Sequence, residues 1–227
     1  MITNDIAQAV AALAAGKLCA IPTETVYGLA ANALDESAVA RVFVAKERPA
    51  DHPLIVHVAT ASDVSEWITE LPKWAVDLTN AVWPGPLTIV GPRTPLASNS
   101  VTGNQDTVAV RVPSHPIAQE LLQQLKAKGI KGLVAPSANR FGNVSPTTAQ
   151  AVSDELSDYL AESDLILDGG ACAVGVESTI IDCTGDVPKI LRPGAITEEM
   201  IEHSTGLDVL GADGVAIRVS GSLESHY

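Results

Sequence analysis

A short apolar run that stops in a polar turn constrains this chain most. Leu18-Cys19-Ala20-Ile21 reads as a buried strand, and Pro22, which has no N–H for a neighbouring strand, ends it. Thr23, Glu24, Thr25 and Tyr27 follow at once, ahead of Gly28 and a fresh apolar run from Leu29. A polar cluster at the end of a core strand is where ligands collect in α/β chains. The same residues would serve a plain strand-to-helix turn with Thr23 or Thr25 as N-cap, and this stretch by itself favours that simpler role.

Strand and helix signals alternate along the chain. Asn4 or Asp5 is placed to cap a first helix with Ile6, Val10 and Leu13 on one face, closed by Gly16. Asp35 opens a second, with Val39, Val42 and Phe43 inward and Lys46, Glu47 and Arg48 in its last turn before Pro49. Helical spacing marks residues 62–68, 73–82, 116–128, 198–203, and a stretch from Thr147 or Thr148 to about 160. Apolar runs mark strands over 54–58, 87–90, 107–113, 132–135, 165–168, 178–182, 189–191 and 215–219, while 94–104 reads as polar loop. The strands over 178–182 and 189–191 follow one another with no helix between them. An α/β chain with helices packed on a mixed sheet is therefore expected, not a clean doubly wound one.

Composition narrows the classes. Of 227 residues, 46% are hydrophobic but only 4% aromatic, so the core is aliphatic and large enough for one big domain or two small ones. The net charge of −13 opposes non-specific nucleic-acid binding, which needs Lys and Arg against phosphate, but it allows a local basic pocket. Cys19, Cys172 and Cys183 have no metal-type spacing, so reduced thiols and no protein-held metal are expected. The N-terminus lacks a basic segment followed by an apolar one, and no apolar run approaches the ~20 residues of a membrane span. A cytoplasmic protein without membrane attachment is the expectation.

Most candidate groups lie at strand ends. Lys46 and Arg48 would stabilise a helix C-terminus, or equally would suit a polyphosphate. Arg111, in Val-Ala-Val-Arg-Val, must pair or reach a cavity, because burying it bare is very costly; a carboxylate ligand is slightly favoured over an edge position or a structural ion pair. Ser137 and Asn139 fit an ordinary turn, Ser145 is a loop hydroxyl, Arg192 precedes a Pro-Gly turn, and His57 could be a core histidine. Glu177-Ser178-Thr179 follows Gly175 and could cradle an anion. No Gly-rich phosphate loop and no nucleophile-plus-base pattern is present.

Taken together, these stretches resemble a known family. Pro22-Thr23-Glu24-Thr25-Val26-Tyr27-Gly28-Leu29, Lys46-Glu47-Arg48-Pro49, Pro53-Leu54-Ile55-Val56-His57, Pro84-Gly85-Pro86-Leu87-Thr88, Val110-Arg111-Val112-Pro113, Pro136-Ser137-Ala138-Asn139, Glu177-Ser178-Thr179-Ile180-Ile181-Asp182 and Leu191-Arg192-Pro193-Gly194 occur in the order seen in the threonylcarbamoyl-AMP synthase family, built on the YrdC-like domain. No one of them identifies a family; the ordered set does. The resemblance runs to about Arg218. It implies a catalytic domain over 1–218, with 219–227 as the start of a linker found in longer two-domain members.

The resemblance implies a twisted mixed sheet with a large concave site. It implies condensation of L-threonine, bicarbonate and ATP, carried with Mg2+, into threonylcarbamoyl-AMP and pyrophosphate. A downstream threonylcarbamoyl transferase complex would then modify tRNA. By likeness Lys46, Arg48, His52, Thr107, Ser137, Asn139, Ser145 and Arg192 face ATP, with Lys46 and Arg48 catalytic. Thr25, His57, Arg111, Ser178 and the backbone at Ala135 face threonine. His52 stands where many relatives carry Asn, and Glu47 fills a variable position expected not to matter. Such chemistry needs positioning and charge stabilisation more than a nucleophilic side chain, which fits the missing nucleophile motif. Rival readings are an RNA-binding module of the same fold, which the charge and scarce aromatics oppose, a domain adenylating another carbamate as in hydrogenase maturation proteins, and a scaffold with a degenerate site.

Overall fold

A computed structural model describes residues 1–211 and 217–221. The strands are β1 (Ile2–Thr3), β2 (Cys19–Ile21), β3 (Gly28–Asn32), β4 (Ile55–His57), β5 (Leu87–Pro92), β6 (Thr107–Arg111), β7 (Leu133–Val134), β8 (Leu165–Leu167), β9 (Thr179–Asp182) and β10 (Lys189–Arg192). They join in one sheet in the order β1-β8-β2-β3-β7-β4-β6-β5-β9-β10. The sheet is mixed. Among its pairs β4 and β6 run parallel, β5 and β9 run parallel, and β9 and β10 run antiparallel as their uninterrupted succession predicts. The α/β expectation holds.

Helices α1 (Ile6–Ala14), α2 (Glu36–Lys46), α3 (Lys73–Val82), α4 (Asn99–Thr102), α5 (Pro116–Ala127), α6 (Ala149–Leu156) and α7 (Glu198–Thr205) surround the sheet. Asp5, Asp35 and Thr148 accept backbone N–H groups as N-caps of α1, α2 and α6. Val56, Ile89, Val110 and Ile181 point to one face of the central strands and pack with Trp74, Leu78 and Ile201 of α3 and α7. The opposite face carries Ile55, Val90, Ala109 and Ile180, and there the cover is Val219 with Ile217. Alternation therefore puts His57, two residues after Ile55, and Arg111, two after Ala109, on the same face as Ile55 and Ala109, beyond the part of that face that α1 and α5 cover. None of the described helices is long and apolar enough to cross a membrane.

Several expectations need correction. No helix follows the polar turn after Pro22; β3 does, and its Gly-Leu-Ala-Ala-Asn sequence has no β-branched residue to announce it. Residues Ala61–Glu66 form a 3-10 helix rather than an α-helix, with Asp63 folded back on the N–H and hydroxyl of Thr60. The loop over 94–104 contains the one-turn α4. The strand expected over 215–219 is absent at 217–219, and its first two residues lie outside the described part, as do 222–227 of the expected linker.

Candidate active site

His57 of β4 and Arg111 of β6 are register partners, and Thr88 of β5 lies opposite Arg111 on its other side. Arg111 is buried but not bare. Its Nη2 donates to Glu24 Oε1 at 2.6 Å and its Nη1 to Thr25 Oγ1 at 3.0 Å, while Glu24 Oε2 accepts the Ser114 N–H at 3.0 Å. Arg111 Nε is buried with no partner. The guanidinium is thus paired with a counter-charge yet keeps its Nε–H to give. His57 Nδ1 lies 3.2 Å from the Ile55 carbonyl oxygen, which can only accept, so the hydrogen sits on Nδ1 and Nε2 is an acceptor. Burial, with Arg111 nearby, draws His57 down to about 3, so it is neutral at physiological pH.

Thr25, His57, Arg111, Ala135 and Ser178 all line one small hollow of about 20 Å³. Gly28 sits beside it because a Cβ there would meet the Ala135 carbonyl oxygen at 3.0 Å. Ser178 Oγ lies 2.8 Å from Thr88 Oγ1 and accepts Arg192 Nη2 at 3.0 Å.

Lys46, Arg48, Ser137, Asn139 and Ser145 line an adjoining cleft of about 140 Å³. Residues two apart on a helix point ~200° away from each other. Lys46 and Arg48 converge because α2 ends between them, with Glu47 in the left-handed region at φ 50°. That backbone is costly for a non-glycine residue, by ~1–3 kcal/mol. Glu47 ion-pairs with Arg140, and the Phe141 N–H caps the Lys46 carbonyl at 2.8 Å. The left-handed backbone at position 47, rather than the Glu47 side chain, is the turn that aims both cations. Lys46 Nζ donates to the Ser137 carbonyl at 2.5 Å and to that of Asn139. Burial, then Arg48, draws Lys46 down to about 7. Burial also lowers Arg48 to about 10, against the pull of Glu177, so it keeps its charge. Arg48 Nε and Asn139 Oδ1 are buried without partners, and Asn139 Nδ2 braces the Arg140 and Asn143 carbonyls.

Three expected residues line neither hollow. Arg192 acts as a tie: Nε and Nη2 reach the Ser178 carbonyl at 3.1 and 2.8 Å, and Nη1 reaches Glu177 Oε2 at 2.7 Å and the Ser220 carbonyl at 2.8 Å. Gly194 lets the following turn lie on this strand start, since a Cβ there would stand 2.4 Å from the Thr179 nitrogen. Thr107 lines a separate slot with Val219 and Ser220. His52 lies edge-on to Phe141, which lines the cleft, with ring centroids 5.2 Å apart.

Sequence reasoning placed Glu24 and Glu177 in candidate polar stretches but gave neither a partner or a role of its own, and it gave no role to Thr88 or Phe141. Glu24 had a signal: a carboxylate inside a buried motif requires a cation, and Arg111 was the buried cation in need of a carboxylate. The other three became visible only through register and loop packing. Ser220 was also unforeseen. It occupies the seam, its hydroxyl accepting Arg48 Nη2 at 3.3 Å and its carbonyl accepting Arg192. With Ser220 there, the hollows at about 20 and 140 Å³ fall short of the ~300–1,000 Å³ usual for small-molecule sites.

Among the described residues no group of three or more His, Cys, Asp and Glu could hold a metal ion. Among the described residues Glu177 is the one carboxylate lining the cleft, and it is engaged by Arg192 and Ser145. This donor set does not fit a resident divalent cation.

The family model for Sua5, YciO and YrdC proteins, described as telomere recombination, matches residues 11–194. The chain belongs to this family. Each site residue expected from sequence lies inside the matched span of this Sua5/YciO/YrdC chain. A threonylcarbamoyl-AMP synthase of Pyrococcus abyssi is 48% identical over 191 residues, 84% of this chain and 54% of that protein. One from Bacillus subtilis is 45% identical over 207 residues, 90% of this chain and 58% of that protein. A crystal structure of Pyrococcus abyssi Sua5 complexed with L-threonine superimposes with a TM-score of 0.88 at 40% identity, covering 100% of this chain and 68% of that one. The chain spans about half the length of the curated relatives it matches.

Proposed function

We propose that this chain condenses L-threonine, bicarbonate and ATP into threonylcarbamoyl-AMP and pyrophosphate. One observation carries this: a hollow with a spare arginine donor and a neutral histidine acceptor opens onto a cleft lined by Lys46 and Arg48. The first suits a hydroxylated amino acid and the second a polyphosphate. Relatives at 45–48% identity are named for this synthase, and one solved relative holds L-threonine.

Arg111 takes the threonine carboxylate through Nε, and His57 Nε2 accepts the threonine hydroxyl hydrogen. The ammonium form of threonine and bicarbonate yield the carbamate, water and one proton. A carbamate oxygen then attacks the α-phosphorus in line. The new P–O bond forms as the bond to pyrophosphate breaks, and Lys46 and Arg48 offset the charge on the leaving oxygens. Arg192 holds Ser178 and the seam in place. Magnesium enters as part of the nucleotide substrate, on its phosphate oxygens. A closed polar site keeps water from the mixed anhydride. The product suits a separate transferase complex that passes the threonylcarbamoyl group to a tRNA adenosine, in the cytoplasm where ATP and tRNA meet.

The test is an assay with ATP, bicarbonate and labelled threonine that follows pyrophosphate and the adenylate. Omitting threonine or bicarbonate abolishes turnover, and Lys46→Ala or Arg48→Ala lowers it at least tenfold with the circular dichroism unchanged. Threonine-independent pyrophosphate release, or full turnover in both variants, refutes the assignment.

A further inference from the structure

Glu177 is the one acidic side chain lining either hollow among the described residues, and it lines both. A carboxylate there opposes polyphosphate binding, so its presence needs a separate reason. Burial pushes its pKa up, but Arg192, the Ser145 hydroxyl, Arg111 and Lys46 outweigh burial and keep it an anion at neutral pH. Its oxygens are only partly used. Oε1 accepts the Ser145 hydroxyl at 2.8 Å and Oε2 accepts Arg192 Nη1 at 2.7 Å. A carboxylate offers about four lone-pair sites, so each oxygen has room for another donor.

The small hollow supplies Arg111 for a carboxylate and His57 for a hydroxyl, but its own hydroxyls are engaged. Thr25 accepts from Arg111 and shares a hydrogen with Thr23, and Ser178 accepts from Arg192 and shares one with Thr88. An amino acid also brings an α-ammonium. We propose that Glu177 receives the α-ammonium of the amino-acid substrate and holds its nitrogen at the seam between the two hollows. This rests on the synthase reading above. Attraction then has a direction. When the ammonium becomes a carbamate the positive charge is gone, and Glu177 repels the new anion toward Lys46 and Arg48, where the α-phosphorus lies.

The experiment measures binding of L-threonine and its deaminated counterpart, 3-hydroxybutanoate, to wild type and Glu177→Gln by calorimetry, with ATP binding alongside. Wild type is expected to prefer threonine at least tenfold. Glu177→Gln is expected to lose at least tenfold in threonine affinity while its affinities for the deaminated ligand and for ATP stay within about threefold of wild type, which also shows that it folds. Unchanged threonine affinity, equal loss of both organic acids, or a loss confined to ATP overturns the proposal. Wild-type protein that binds no threonine overturns the synthase reading itself, before any variant is compared.

Discussion

Lys46 should take up a proton when nucleotide binds at alkaline pH. Its Nζ faces two carbonyl oxygens, those of Ser137 and Asn139. A neutral amine has two N–H groups and satisfies both; an ammonium has a third, free for a phosphate oxygen. Burial and Arg48 hold the pKa at about 7, opposed by Glu177 and Glu155. At pH 8 such a group is only ~10% protonated, and at pH 6 ~90%. A bound polyphosphate restores the charge, so ATP binding should take up ~0.9 proton at pH 8 from this group and ~0.1 at pH 6. Affinity should fall about tenfold, or ~1.4 kcal/mol, between those pH values. Calorimetry in buffers of different ionisation enthalpy reads the proton count. Burial and Arg48 hold His52 below its ordinary value, so it is neutral at pH 8 and leaves the count there to Lys46, while His57 stays neutral throughout. Lys46→Met should abolish the uptake at pH 8. Equal uptake at both pH values, or unchanged uptake in Lys46→Met, refutes the reasoning.

Other outcomes follow from the same contacts. The native Lys46 holds fewer protons than the unfolded one between pH ~7 and ~10.5, so its contribution to stability rises with pH across that window; Lys46→Met should therefore raise the thermal midpoint more at pH 6 than at pH 9. Glu24→Ala strands the buried Arg111 and should cost ~3–5 kcal/mol in urea denaturation, with weaker threonine binding; a cost below ~1 kcal/mol would show that the pair adds nothing. Glu47→Gly relieves the left-handed backbone and loses a partly exposed ion pair, so stability should stay within ~1 kcal/mol and turnover should persist. Glu47→Val should lose ~1–3 kcal/mol and raise the KM for ATP as the two cations lose their aim. A chain ending at Arg218 should bind pyrophosphate more tightly, because Ser220 no longer competes for Arg48 and Arg192; weaker binding would mean that Ser220 completes the site.

Much of this was legible because apolar runs, caps and punctuating prolines act locally. The expected strands over 54–58, 87–90 and 178–182 and the caps at Asp5, Asp35 and Thr148 needed only neighbours in sequence. β3 was illegible because its small residues carry no strand signal and Gly28 answers a close approach by Ala135, which is a tertiary demand. Nearly all the expected site residues converge, yet the roles of Glu24 and Glu177 did not show. Glu24 pairs with Arg111, 87 residues away, and Glu177 with Arg192, 15 residues away on β10; contacts between separate elements leave no periodic trace. Lys46 and Arg48 could not be decided from spacing. Helix geometry sends them apart, and only the left-handed turn at Glu47 reunites them.

The unsatisfied atoms connect fold and chemistry. Buried polar atoms are paired almost everywhere in native proteins, and an unpaired one costs ~1–3 kcal/mol. Among the described residues the unpaired side-chain atoms are Arg48 Nε, Arg111 Nε, Asn139 Oδ1 and Arg140 Nε, and the first three belong to residues lining the two hollows. The two arginine donors match anionic oxygens, one in each hollow. The Asn139 acceptor matches an N–H or O–H, as a nucleoside carries. A stability-driven core would have removed all three. Their placement beside a neutral His57 and a poised Lys46 is the arrangement expected where strain left in the free protein is relieved by ligand, so that binding free energy is spent on aligning two substrates rather than on remaking the site.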